Sequence, residues 1–238
     1  MPISQLIEKQ RAMWEMKRRL EHPETAPGRF AQDGVSYGPC LLISRECGSG
    51  GKAVAKLAGQ ALGWEVYDRE IVNQISELAH VREKLVESVD EKTRTAWETA
   101  WRQILFPDDV NCEHYLRCLR SIVLALGHHG DVILLGRGAQ CILPKECALR
   151  ARLVAPFDKR ARRIAEVEKL PIADAQSRVR ALDAERANFV RKYFGSNSAL
   201  PLDYDIVINT DELGFEGAAN VLLEALRIKL GVTVPKRA

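Results

Sequence analysis

The chain has 238 residues, a formal net charge of +3 and 46% apolar residues. That length suits one substantial α/β domain with its own core, and no apolar run approaches the roughly 20 residues of a membrane span. The small charge excess gives no bulk electrostatic case for nucleic acid or anionic membrane. The six cysteines, none in a C-x-x-C pair, read as reduced thiols of a cytoplasmic protein.

Residues 3–20 set Ile3, Leu6, Ile7, Met13, Trp14 and Leu20 on one helical stripe. An amphipathic helix is expected there, packing on its own domain, on a second copy or on a partner. Glu8 and Glu15 argue against an organellar transit peptide, and no apolar core of a secretory signal is present. Residues 22–38, rich in Pro, Gly and polar side chains, read as a linker, so 1–38 form an N-terminal helix and linker.

The most informative stretch is 41–62, LLISRECGSGGKAVAKLAGQAL. An apolar strand ends at Ser44 and a glycine-dense turn follows. A helix then carries Val54, Leu57, Ala58, Ala61 and Leu62 on one face and ends near Gly63. Glu65–Tyr67 is expected as a short strand ending at Asp68 and Arg69. Helices are expected over 71–87 and 91–105, the second carrying Trp97 and Trp101 four apart, with a break at Pro107. A long helix over 113–127 buries Leu116, Leu119, Ile122, Val123 and Leu126. The runs 131–135, 150–154 and 205–209 are rich in Val, Ile and Leu. Apolar strands alternating with helices indicate a doubly wound α/β fold with a parallel sheet of about five strands covered on both faces.

Ligands of such sheets gather at the carboxyl ends of the strands. The glycine turn supplies converging backbone N–H groups and a helix N-terminus, a setting for phosphate. Gly136-Arg137-Gly138 places an arginine that can fork onto a phosphate just past a buried strand. Residues 158–192 hold Arg160, Arg162, Arg163, Arg178, Arg180, Arg186 and Arg191 on two helices joined near Leu170-Pro171. This is either a solvated helical hairpin laced with ion pairs or an arginine-rich flap over a polyphosphate. Other chemistries fit less well. Ser49 lacks a nucleophile elbow, because Cys47 replaces its first glycine. His128-His129 reads as a helix end, and Cys47 as a filler rather than an acidic thiol. Cys112, His114 and Cys118 have the wrong spacing for zinc, and no residues are assigned as metal ligands. A basic stripe with interleaved aromatics for nucleic acid is also missing.

In order and spacing, LLISRECGSGGKAVAKLAGQALGWEVYDREIV, VILLGRGA, RLVAPFDKRARRI, RALDAERANFVRKYFG and YDIVINT resemble the cytidylate-kinase-like family, a divergent branch of the nucleoside monophosphate kinases. The resemblance implies a three-layer P-loop NTPase domain over 39–232, with a helical lid at about 157–195 and a tail at 233–238. It places ATP phosphates on Gly48, Ser49, Gly50, Gly51 and Lys52, with Mg²⁺ held mainly through those phosphates. It assigns a small phosphoacceptor, with CMP or dCMP as the family-based guess, to Asp68, Arg69, Arg137, Asp183 and Arg186. Transfer would be assisted by Lys52, Arg160 and Arg163. The loop departs from the usual P-loop pattern. Aligned on Ile43-Ser44, the usual lysine falls on Gly51 and the Mg²⁺-binding hydroxyl on Lys52; one residue later, Glu46 replaces the first glycine and Ala53 the hydroxyl. Gly138 stands where bona fide cytidylate kinases have aspartate, and Arg69 where they have serine. Glu46 needs an offset from Arg45 or a metal, and Arg45, Lys52 or Arg69 could supply the displaced cation. Two functions follow: phosphoryl transfer, or a catalytically silent nucleotide-binding regulator or assembly module.

Overall fold

A computed structural model describes residues 30–32, 35–68 and 112–234. The N-terminal helix, the expected helices over 71–105 with Trp97 and Trp101, Arg69 and residues 235–238 lie outside the described residues. In chain order the described elements are β1 (Phe30–Gln32), β2 (Val35–Tyr37), β3 (Cys40–Arg45), α1 (Gly51–Leu62), β4 (Glu65–Tyr67), α2 (Cys112–His129) and β5 (Val132–Leu135). There follow β6 (Ala148–Val154), α3 (Phe157–Glu168), α4 (Ile172–Phe194), β7 (Ile206–Asn209) and α5 (Thr210–Leu230).

The strands β4-β5-β3-β6-β7 form one sheet in that order, and every pairing is parallel. The period of two along β3 divides the core. Leu41 and Ile43 face α1 and α5, where they pack with Val54, Ala58, Leu62, Leu222 and Leu226. Cys40 and Leu42 face α2, with Leu119, Ile122 and Val123. Both faces of the central strand are therefore dry, which explains why its sequence is continuously apolar. Each fully buried Leu or Ile contributes roughly 1.5–3 kcal/mol of transfer free energy.

The linker expectation is corrected in part. Within it, Phe30–Gln32 pairs antiparallel with Val35–Tyr37. Tyr37 stacks on His128 at 4.7 Å between ring centroids. His128 thus ties the hairpin to the end of α2, consistent with its reading as a helix-end residue. The helix α1 ends as expected at Gly63, whose φ is +70°. The segment expected as a lid is the helix pair α3 and α4, joined through Leu170-Pro171.

Candidate active site

The loop between β3 and α1 is shaped by its glycines and by what packs on it. Gly50 has φ +81°, and a Cβ there would collide with the Phe215 ring. Both facts exclude a larger residue. Phe215 reaches the loop from just beyond a kink in α5 at Gly214. Thr210, at the start of α5, donates from Oγ1 to the Ser49 carbonyl at 2.8 Å. The Ser49 hydroxyl is fully buried and donates to the Glu46 carbonyl at 2.9 Å, so it acts as an internal brace.

Four lid residues named from sequence converge on this loop. From α3, buried Arg160 donates to the Cys47 carbonyl at 3.0 Å and to Asp183 at 2.6 Å. Arg163 donates to the Gly48 carbonyl at 3.3 Å and to Asp211 at 3.2 Å, with its guanidinium over the Phe215 ring. From α4, Asp183 accepts the Cys47 backbone N–H at 2.7 Å, and Arg186 donates to the Arg45 carbonyl at 3.2 Å. The pair α3 and α4 is therefore packed on the loop, and an α4 carboxylate holds one of the loop's N–H donors.

Lys52 projects from the first turn of α1 to Asp68 at the end of β4, at 3.2 Å, with its side chain 64% exposed. Glu46 is neutralised differently from the sequence expectation: Arg160 lies 3.3 Å and Arg152 3.9 Å from its carboxylate, and the Ala155 N–H donates to it at 3.3 Å. Neither Arg45 nor a metal is needed for that offset. Burial raises the Cys47 thiol pKa above its ordinary value, against the pull of Arg186 and Arg160, which fits a filler rather than a reactive thiolate.

Beside the loop lies a cavity of about 310 Å³. Its walls carry Arg45, Arg137, Arg152 and Arg186 together with Glu46 and Asp183. Arg137, at φ +58°, sits 5.7 Å from the centroid of the Phe189 ring. Gly138, at φ +66°, is covered by Phe194, whose ring occupies the place of a side chain at that position. The far wall is tied by Tyr204, which donates to the Ser198 carbonyl at 2.9 Å and lies 3.1 Å from the Ser44 hydroxyl. Arg152 donates to that hydroxyl at 3.3 Å. Sequence reasoning passed over Arg152, Tyr204, Phe189 and Phe194. Arg152 carried a signal, a charge near the carboxyl end of a buried strand; the aromatic residues carried none. Among the expected acceptor residues, Arg137, Asp183 and Arg186 line this cavity, whereas Asp68 pairs with Lys52.

A search of curated proteins found no match. The structure is similar to that of an uncharacterized protein from Eubacterium ventriosum, with a TM-score of 0.60 at 20% identity, covering 80% of this chain and 98% of that one. It also aligns with TT1252 from Thermus thermophilus (TM-score 0.45, 18% identity, 82% and 99% of the two chains). Shikimate kinase from Bacteroides thetaiotaomicron aligns with a TM-score of 0.42 at 16% identity, covering 81% of this chain and 98% of that one. The first of these shows the fold. The model of the cytidylate kinase-like family matches residues 41–212, well over half of the sequence, and the chain belongs to that family.

Proposed function

We propose that this protein transfers a phosphoryl group from ATP to a small phosphorylated acceptor. The observation that carries the reading is a glycine-rich loop at a helix N-terminus whose first residue, Glu46, lines a cavity that also carries Arg45, Arg137, Arg152 and Arg186. A donor polyphosphate on residues 48–52 and an acceptor anion on Arg137 and Arg186 would then be neighbours. Positioning and charge neutralisation supply most of the catalysis in such a transfer. Arg160 and Arg163 already reach the loop and would serve the transferring group once Asp183 yields the Cys47 N–H to a phosphate oxygen. Lid closure excludes water, favouring the acceptor over hydrolysis.

CMP and dCMP are the acceptors to try first on family grounds. The Gly138–Phe194 packing leaves no carboxylate at that position to read a base, which favours testing other small phosphoacceptors beside them. The protein's own side chains make a poor magnesium seat. The loop offers Lys52 or, one residue later, Ala53 where a hydroxyl would be wanted, and Asp68 is held by Lys52. Among the described residues no cluster of three metal-binding side chains exists. Magnesium would arrive on the triphosphate.

The regulator reading draws on one observation: Asp183 holds the loop N–H in a lid-down state, as a nucleotide-responsive latch would. The deciding experiment is ADP release from ATP and Mg²⁺ over a panel of nucleoside monophosphates and small phosphorylated metabolites. Acceptor-dependent release that is lost in Arg137→Ala supports transfer. Nucleotide binding without release across the panel supports the regulator.

A further inference from the structure

Gly51 is the first residue of α1, and the alignment on Ile43-Ser44 puts the usual loop lysine there. A Cβ on Gly51 would lie 2.7 Å from Arg45 Cγ and 3.0 Å from Arg45 Cβ, closer than carbon atoms pack. A side chain at position 51 and an arginine at position 45 therefore exclude one another. The aliphatic stem of Arg45 crosses the first turn of α1, and its Nη1 donates to the Leu135 carbonyl at 3.3 Å. At Gly136 a Cβ would run into that same Nη1. Two glycines, one on each neighbouring segment, thus form a slot for one arginine.

The slot opens onto the cavity shared with Arg137 and Arg186. Burial, followed by the charge of Arg186, pulls the Arg45 pKa down to about 10; Asp68 opposes the shift and Arg137 adds to it. The group remains charged at neutral pH, beside Arg137 and Arg186 in a cavity whose walls also carry Glu46, Asp183 and Glu185. Lys52, the basic residue next along, is directed to Asp68.

We propose that Arg45 has taken over the work of the loop lysine, its guanidinium being the cation that contacts the terminal phosphate of bound ATP between loop and cavity. The inference rests on the phosphotransferase reading. In the transfer, an acceptor oxygen bonds to the γ-phosphorus as its bond to the β,γ-bridging oxygen breaks. The electron pair leaves on ADP. Arg45 offsets the charge that the three peripheral oxygens carry across. The exchange of positions explains Arg45 and Gly51 together: the cation moved to the strand end, and the vacated helix position became glycine to let it pass.

The test is calorimetric titration of the full chain with ATP·Mg²⁺ and with ADP·Mg²⁺, for wild type, Arg45→Gln, Arg45→Lys, Gly51→Lys and the double exchange R45G/G51K. Each variant is first checked for folding by circular dichroism. Arg45→Gln keeps the stem over Gly51 and removes the charge. It is expected to weaken ATP by about tenfold or more and ADP by less than threefold. Arg45→Lys should recover part of that loss. Gly51→Lys alone should bind ATP poorly, because its stem meets Arg45, and R45G/G51K should return to within a few-fold of wild type. Unchanged ATP affinity in Arg45→Gln, or equal losses for ATP and ADP, would overturn the assignment while leaving the phosphotransferase reading standing. If R45G/G51K folds and binds no better than Gly51→Lys, the exchange of positions is wrong. A wild-type protein that binds neither nucleotide would overturn that reading and this inference with it.

Discussion

Single residues set the local geometry of this site. Gly138 has φ +66°, and the Phe194 ring lies where its side chain would be. Gly138→Asp should displace that ring and strain the turn. The expected cost is roughly 1–3 kcal/mol, read as a lowered urea midpoint, without new turnover on CMP. A Gly138→Asp protein as stable as wild type would mean that the ring moves aside freely. Asp183 invites a different change. Its carboxylate accepts the Cys47 N–H and a bond from Arg160, so it stands where an incoming phosphate oxygen would bond. Asp183→Asn removes the competing charge. It is expected to bind inorganic tripolyphosphate a few-fold more tightly in calorimetry, and weaker binding would show that Asp183 shapes the loop for the anion instead.

Between elements, ionic ties hold the edge of the sheet. Asp205, just before β7, takes bonds from the Arg150 guanidinium at 3.0 Å and from Lys229 of α5 at 2.6 Å. Burial pushes its carboxyl pKa up, but the hydrogen bonds from Arg150 and Lys229 outweigh burial and hold it below the ordinary value. A carboxyl depressed in the folded state stabilises the fold above its unfolded pKa, about 3.9, and loses that contribution as pH falls through the lower folded value. Thermal melts should therefore show an acid-side loss of stability that is smaller in Asp205→Asn. At neutral pH that variant should be less stable by roughly 1–2 kcal/mol, the pair being partly open to solvent. Identical acid profiles for the two proteins would remove Asp205 from the account. The elements differ in how legible they were. In β3 the run Leu41–Ile43 announces burial on both faces, and Gly63 marks the end of α1, so the sheet and its helices follow from local pattern. The hairpin of β1 and β2 did not show, because three-residue strands in a Pro- and Gly-rich stretch carry no period to read. The loop and the lid arginines were legible through composition and strand context. Contacts such as Glu46 with Arg152 and Arg160, or Arg45 across Gly51, join segments far apart in sequence and appear only once the sheet brings them together.

At the scale of the whole molecule, the parallel sheet sets loop and cavity at the carboxyl ends of its strands, with α3 and α4 bonded to the loop. A ligand that binds only this folded arrangement stabilises it by mass action, by about 2.7 kcal/mol at a hundredfold excess over its dissociation constant. For a chain of this size that corresponds to a rise in melting temperature of about 5–10 °C. Such a rise is expected with ATP·Mg²⁺ and should shrink in Arg163→Ala, whose side chain spans the Gly48 carbonyl and Asp211. No shift at saturating ATP would count against nucleotide binding at the loop. The most direct test of the central claim follows the γ-phosphoryl group itself. ATP labelled at that position is incubated with the protein, Mg²⁺ and the phosphoacceptor panel, and the label is traced to acceptor or to inorganic phosphate. Phosphoryl transfer at this site requires label on one acceptor, little in inorganic phosphate, and loss of the transfer in Arg137→Ala. Label that stays on ATP, or passes only to water whatever acceptor is present, would contradict it.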